Sequence, residues 1–153
     1  MMVYRIGRTK YADDLTGNGA KVNGGRWNYI GTPCIYTAES RALCALEFTA
    51  HNSLEDVRRA LSITRYQVPE HSIFVCAIPT LPGNWREWPH PGQTRDFGTT
   101  LLNKAEYLVI QIPSVVIPQE FNYLLNPAHK DFHMIDKSKI SIEDFIYDVR
   151  LKS

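Results

Sequence analysis

The stretch "CIYTAESRALCALEFTAH", residues 34–51, places a short apolar segment directly before a segment rich in Ala and Leu. Cys34 to Tyr36 is apolar and β-prone, which predicts a buried strand. The following segment contains no Gly or Pro, and Thr37 or Ser40 can cap its N-terminus. We therefore predict a helix from about residue 39 to residue 51.

The middle of this predicted helix is apolar except for Glu47. Leu43, Leu46, Glu47 and Ala50 follow the i, i+3, i+4, i+7 spacing, so the carboxylate projects from a face that should point inward. An uncompensated carboxylate there costs on the order of several kcal/mol unless a cation or hydrogen-bond donors meet it. Arg26 is an obvious candidate partner. In the alternative, the helix is rotated and Glu47 lies on its solvent-facing side.

The rest of the chain reads mainly as strands separated by irregular segments. We predict strands at residues 3–6, 62–68, 72–78, 106–112 and 114–118, a short helix at 53–60 with a capping box, a helical turn or two at 96–104, and irregular segments at 11–25 and 79–93. Because strands follow one another without regular helical crossovers, the fold class is α+β with a mixed or antiparallel sheet. The length of 153 residues predicts a single domain over residues 1–153.

Composition argues against several classes of protein. The net charge is only +1, with basic and acidic residues interleaved, so nucleic acid is not an expected ligand. No apolar run approaches the roughly 18 residues of a membrane span, and residues 1–8 do not resemble a signal peptide. Cys34, Cys44 and Cys76 are odd in number and have apolar neighbours, which predicts buried, reduced thiols. We therefore expect a cytoplasmic protein with no membrane partner.

Two glycines, Gly24 and Gly25, stand directly before Arg26 and Trp27. Glycine permits backbone conformations and close approaches that a Cβ would forbid, so the pair suits a loop end that brings Arg26 up to a ligand. An ordinary tight turn explains the same pair, and from the residues alone it is the favoured interpretation. Trp27 is expected in the core because of the apolar area that a tryptophan buries.

Other candidate sites have ordinary structural explanations. Ser114 can simply cap a turn. His129 and His133 are spaced like metal ligands, but neither an HExxH context nor nearby cysteines accompany them. The segment Gly17 to Gly19 lacks the third glycine and the Lys-Ser/Thr pair of a phosphate-binding loop. No metal site is predicted.

A series of short motifs along the chain resembles one protein family. The motifs are YRI at Tyr4, GGRWN at Gly24, YTAES at Tyr36, ALE ending at Glu47, IPS around Pro113, QEFNYLLNPAH at Gln119 and DVRL near the C-terminus. Each is weak alone, but they run in order from about Val3 to Leu151. The series resembles the RES-domain toxins of bacterial RES–Xre toxin–antitoxin modules. The chain departs from the family pattern at Val149, where the family has a proline, and at Tyr29.

The resemblance implies a compact fold like that of ADP-ribosyltransferases and an enzyme that cleaves NAD+ at the nicotinamide–ribose bond, which depletes cellular NAD+. The catalytic residues of the family correspond to Arg26, Tyr36, Glu47 and Ser114. The expected NAD+-binding residues are Arg5, Arg26, Tyr36 and Asn122. No metal is required, because nicotinamide is already a cationic leaving group.

The resemblance also implies a protein partner. Family toxins are held inactive by a cognate Xre-type antitoxin that blocks the active site and itself binds DNA, and the near-neutral charge of this chain fits that division of roles. A homodimer, or a higher complex with the antitoxin, is compatible with it. Two alternatives remain at this point: an ADP-ribosyltransferase that modifies a specific cellular protein, and a catalytically inactive module that only binds the antitoxin.

Overall fold

The computed structural model describes residues 1–152 and contains seven strands and four α-helices within that range. The strands are β1 Met2–Arg8, β2 Ile35–Ala38, β3 Leu61–Gln67, β4 Ile73–Val75, β5 Val109–Pro113, β6 Phe121–Leu125 and β7 Ser141–Phe145. The helices are α1 Asn18–Asn23, α2 Arg41–His51, α3 Leu54–Val57 and α4 Gly92–Lys104. Short 3₁₀ turns connect several of them.

All seven strands belong to one mixed sheet in the order β4-β5-β6-β2-β1-β3-β7. Strands β4 and β5 are parallel, and the other neighbours are antiparallel. The α+β class with a mixed sheet is therefore confirmed. Strands β1 and β2 are joined at a single register position, Tyr4 opposite Ala38, whereas β1 and β3 are paired along their whole length. The sheet is thus almost divided into two halves, β4-β5-β6-β2 and β1-β3-β7.

Helix α2 covers the junction between the two halves. Its N-terminus is capped by Ser40, whose Oγ accepts a hydrogen bond from the Leu43 amide at 3.0 Å. Leu43, Cys44 and Phe48 form its buried face and pack with residues of β1, β2 and β3. Burying one large apolar side chain contributes about 1.5–3 kcal/mol, so this face anchors the helix firmly. The helix that the sequence predicted is confirmed.

The predicted inward face of α2 is partly wrong. Leu46 and Ala50 are exposed, and the buried stripe runs through Cys44 and Phe48 instead. Glu47 nevertheless points inward, with only 17% of its side chain exposed. The helix is apolar on nearly every side, so its rotation is set by contact with the sheet rather than by periodicity.

Local predictions elsewhere were mostly confirmed, but three segments need correction and two strands were missed. Residues 114–118 form a turn rather than a strand, closed by the Ser114 amide, which donates to the Glu120 carbonyl at 2.8 Å. The helix predicted at 96–104 begins earlier, at Gly92, and the segment 11–25 contains α1. Strands β6 and β7 were not predicted, although β6 pairs along its whole length with β5 and over Asn122 to Leu125 with β2. The capping box of the short helix α3 is present at Ser53 and Asp56.

Helix α4 packs against Trp27, which follows the glycine pair and Arg26. Gly98 lies so close to Trp27 that a Cβ there would overlap the Trp27 carbonyl oxygen and stand 2.8 Å from its Cβ. The Trp27 indole is buried and meets the Phe97 ring edge-on at 6.0 Å between centroids. The expectation that Trp27 belongs to the core is confirmed.

Replacing Gly98 by Ala should therefore lower the free energy of unfolding by about 1–3 kcal/mol, the usual cost of overpacking. Helix propensity alone would favour Ala by about 1 kcal/mol. Urea unfolding followed by circular dichroism measures the difference. Gly19→Ala in α1 is the matched control, because no heavy atom lies within 4 Å of its Cβ position. A Gly98→Ala protein as stable as the parent would show that α4 can move away freely.

Candidate active site

A cavity of about 560 Å³ lies where β1 and β2 diverge. Its volume falls in the range of small-molecule sites. Both halves of the sheet contribute to its wall, Arg5 and Ile6 from β1 and Tyr36 to Ala38 from β2. The remaining wall residues that matter below are Gly24, Gly25, Arg26, Trp27, Glu47, His51, Trp88, His90 and Asn122.

The glycine pair forms a tight turn that is also a wall of this cavity. Gly24 has φ of +71°, and the Gly25 amide donates to the Asn28 carbonyl at 3.1 Å. A Cβ at Gly25 would stand 2.8 Å from the Tyr36 hydroxyl oxygen and 3.1 Å from the Asn28 Oδ1. The tight-turn interpretation is therefore confirmed, and the role of the pair in bringing Arg26 to a ligand stays a prediction. The absence of a Cβ at Gly25 is what allows Tyr36 to approach the turn.

Tyr36 ties this turn to β2 through its hydroxyl. The hydroxyl donates to Asn28 Oδ1 at 2.6 Å and accepts from the Trp27 amide at 3.0 Å. Burial raises the pKa of Tyr36 well above its ordinary value. Asn28, which is fully buried, donates from its Nδ2 to the carbonyls of Ala20 and Thr32. Sequence analysis missed Asn28, although it closes the GGRWN motif.

Arg26 is buried beside the cavity and fixed by backbone carbonyls. Its Nη1 donates to the carbonyl oxygens of Trp85 at 2.9 Å and Glu87 at 2.7 Å. Burial lowers the pKa of Arg26, while the nearby Glu47 and Tyr36 oppose that shift. The expected direct pairing with Glu47 is absent, since no ion pair joins the two side chains in the described residues. A guanidinium has five N–H donors, so donors remain for a ligand in the cavity.

Glu47 receives its compensation from hydrogen-bond donors instead. Its Oε1 accepts from the Ser114 hydroxyl at 2.6 Å, and its Oε2 lies 3.2 Å from the Nε2 of His51. The sequence predicted that this inward carboxylate needs a cation or hydrogen-bond donors as partners. Its partners are Ser114 and His51 rather than Arg26. The carboxylate faces the cavity, and within residues 1–152 no arginine forms an ion pair with it.

Ser114 lies behind Glu47 and is fully buried. Its Oγ accepts hydrogen bonds from the amides of Val116 and Ile117, both at 3.1 Å. These two bonds occupy the acceptor positions of the hydroxyl, so its proton is directed to Glu47. Ser114 therefore caps a turn, as its sequence context predicted, and orients Glu47 at the same time.

Arg5 and Asn122 approach the cavity from β1 and β6, the two strands on either side of β2. Arg5 donates from Nε to the Tyr66 hydroxyl at 3.0 Å and from Nη2 to the Tyr11 carbonyl at 2.8 Å. Asn122 stands on β6 directly opposite Ala38. The structure thus places Arg5, Arg26, Tyr36, Glu47 and Asn122 around one cavity, with Ser114 supporting Glu47 from behind.

Three further side chains at the cavity were not singled out from the sequence. His51 ends α2, and Trp88 and His90 come from the irregular segment 79–93. The Trp88 ring contacts the other two rings: its centroid lies 6.2 Å from that of His51 and 5.6 Å from that of His90. Burial lowers the pKa of His90, and the Arg26 charge adds to that shift. The signal available in the sequence was the clustering of aromatic and proline residues in WREWPHP.

The other chemistry-bearing residues have structural roles. His129 accepts the Asp131 amide on its Nδ1 at 3.0 Å, and no cluster of three metal-ligating His, Cys, Asp or Glu side chains occurs in residues 1–152. All three cysteines are buried and unbonded to one another, as predicted. Burial raises the pKa of the Cys44 thiol to about 12, which keeps it protonated and unreactive. Within the same residues, no helix combines the length and apolar character needed to cross a bilayer.

Comparison with known proteins identifies the family. The sequence model of the RES domain family matches residues 2–148 of this chain. The chain belongs to the RES-domain family. The curated "Toxin Res" of Yersinia enterocolitica is 37% identical to this RES protein over 153 residues, with 99% of this chain and 100% of the relative covered. A "Prs ADP-ribosylating toxin" of Sphingobium sp. is 35% identical over 147 residues, which cover 94% of this chain and 90% of the relative.

A solved structure shares the RES fold. The crystal structure of the M. tuberculosis MbcT–MbcA toxin–antitoxin complex contains a chain that matches with a TM-score of 0.72, over 94% of this chain and 83% of that chain. The sequence identity is 16%, so this likeness concerns the fold. The resemblance to RES toxins that the ordered motifs indicated is therefore confirmed.

Replacing Tyr36 by Phe in this RES protein should destabilise the glycine turn. The ring remains, but the Trp27 amide loses its acceptor and Asn28 Oδ1 loses its donor, at a cost of about 1–3 kcal/mol in the free energy of unfolding. Urea unfolding measures the loss. The control is Tyr11→Phe, because Tyr11 is half-exposed and its hydroxyl makes no hydrogen bond to the described residues. Equal midpoints for both variants would contradict the role assigned to the hydroxyl.

Proposed function

We propose that this RES protein is a toxin that breaks the bond between nicotinamide and ribose in NAD+, with water or inorganic phosphate as the acceptor. The observation that carries the proposal is the position of Glu47, an inward carboxylate held by Ser114 that lines the same cavity as Arg26 and Tyr36. A carboxylate placed in this way is suited to a reaction in which positive charge develops on the substrate.

In the proposed reaction, the C1–N bond between ribose and nicotinamide breaks, and its electron pair leaves with the ring, which neutralises the pyridinium charge. Positive charge then builds on the ribose. Glu47 stabilises that charge more strongly than it stabilises the ground state, where the charge lies on nicotinamide. Water attacks the exposed carbon and loses a proton to give ADP-ribose, or phosphate attacks to give the 1″-phosphate. The leaving group departs neutral, so the step needs no metal to assist it.

Arg26 is suited to the pyrophosphate of NAD+. Two backbone carbonyls fix its Nη1, so the planar fork is already oriented before a ligand binds. A guanidinium contacts phosphate oxygens in pairs, which a point charge cannot do. Arg5 supplies a second cation at the same cavity. Tyr36 supplies a ring face for nicotinamide, and Asn122 a polar contact on the neighbouring strand.

A second candidate function is transfer of ADP-ribose to a cellular protein. It is favoured by the name of the Sphingobium relative, a Prs ADP-ribosylating toxin, at 35% identity. The same pocket and the same bond cleavage serve both reactions, which differ only in the acceptor. The likeness to a chain of a toxin–antitoxin complex supports a further proposal, that an antitoxin, of the Xre type implied by the motifs, covers this cavity.

Labelled NAD+ distinguishes the two reactions. We expect purified protein to consume NAD+ over many turnovers without any added protein, giving free nicotinamide with ADP-ribose or its 1″-phosphate. Chromatography in buffers with and without phosphate identifies the acceptor, and gel electrophoresis detects label on protein. Nicotinamide release only when a cellular protein is added, with the label ending on that protein, would favour the transferase. No release under either condition would refute NAD+ cleavage.

Replacing Glu47 by Gln should lower the rate of nicotinamide release about 100- to 1000-fold, the usual loss for one preorganised electrostatic contact. The amide keeps the shape of the side chain but removes the charge that stabilises the ribose cation. Glu55→Gln is the control, because Glu55 is exposed on α3 away from the cavity. Circular dichroism confirms that both variants fold. Parental turnover in Glu47→Gln would remove Glu47 from the mechanism.

A further inference from the structure

His51 stands next to Glu47 at the end of α2. The two residues are one helical turn apart, at i and i+4, where side chains are neighbours. The Nε2 of His51 lies 3.2 Å from Glu47 Oε2, the oxygen that Ser114 does not contact. A carboxylate accepts only, so this contact is a hydrogen bond when the imidazole carries its proton on Nε2.

One hydrogen bond does not fix the plane of a carboxylate. The terminal torsion of a glutamate has a broad, nearly two-fold energy profile, so the group can rotate about its contact with Ser114. A second donor on the other oxygen removes that freedom. Each carboxylate oxygen has about two acceptor positions, so one position on each stays available for a substrate in the cavity.

We infer that His51 is a positioning residue for Glu47, whose Nε2–H and the Ser114 hydroxyl hold one carboxylate oxygen each. This inference rests on the proposed function, since it concerns the carboxylate that would stabilise the ribose cation. His51 acts through Glu47 rather than on the substrate. An active site depends on such orientation, because misplacement by about 1 Å can cost on the order of 100-fold in rate.

The surroundings of His51 separate this role from simple packing. Its ring also meets Trp88, at 6.2 Å between centroids and 57° between planes. Nearly half of the His51 side chain is exposed, and the Ser114 hydroxyl still bonds Glu47 when His51 is replaced, so the loss of this contact should cost little stability. A change at His51 should therefore alter catalysis far more than folding. A phenyl ring can replace the packing against Trp88, whereas a glutamine amide can replace the donor to Glu47.

The test compares His51→Phe with His51→Gln in the nicotinamide-release assay. We expect His51→Phe to lower kcat about 10- to 100-fold, with little change in KM for NAD+, because a hydrogen bond to a charged group is lost. His51→Gln should retain most of the parental kcat. His133→Phe is the matched control, since His133 is exposed and remote from the cavity lining.

Three outcomes would overturn the inference. The first is a kcat of His51→Phe equal to that of the parent. The second is an equal loss of kcat in His51→Phe and His51→Gln. The third is a change in His51→Phe that affects only KM for NAD+. If the parent itself released no nicotinamide, the proposed function would fail separately. In that case, the toxicity of the same variants can be compared by inducing each protein in cells and measuring growth inhibition. If His51→Phe were as toxic as the parent, the positioning role of His51 would be refuted for any reaction that Glu47 serves.

Discussion

The near-absence of pairing between β1 and β2 is the constraint on which the rest of the molecule depends. The two strands share a single register position, Tyr4 opposite Ala38, and diverge from it. A fully paired junction would leave no room for a cavity between the halves of the sheet. Helix α2 spans the junction and packs with both halves, so the opening is stable and Glu47 is carried to its wall.

The separation of Arg26 from Glu47 is the second organising feature. A buried ion pair would have satisfied both groups and neutralised both charges. Instead Arg26 is held by the carbonyls of Trp85 and Glu87, and Glu47 by the Ser114 hydroxyl and His51. The two carbonyls and the Ser114 hydroxyl carry no net charge, so they lower the cost of burial and leave each charge available. The wall of the cavity thus carries both a cation and an anion.

Local features could be predicted from the sequence, and features made by distant contacts could not. The strand before α2 and the Ser40 cap depend on neighbouring residues, and those predictions succeeded. The inward direction of Glu47 was predicted from a face that is only partly correct, because contact with the sheet sets the rotation of α2. Strand β6 was missed because its pairing depends on partners far away in the chain. The partners of Arg26 are backbone carbonyls 59 and 61 residues distant, which no side-chain pattern reveals. The six proposed site residues came from the ordered motifs, and their arrangement came from the structure.

The contacts of Arg26 also link two parts of the molecule thermodynamically. The carbonyls of Trp85 and Glu87 belong to the segment that carries Trp88 and His90 to the mouth of the cavity. Displacement of that segment would remove both carbonyl acceptors from the buried Arg26 guanidinium. Any molecule that favours one position of the segment would therefore change the affinity of the proposed Arg26 site for an anion, and the anion would change the affinity for that molecule by the same factor.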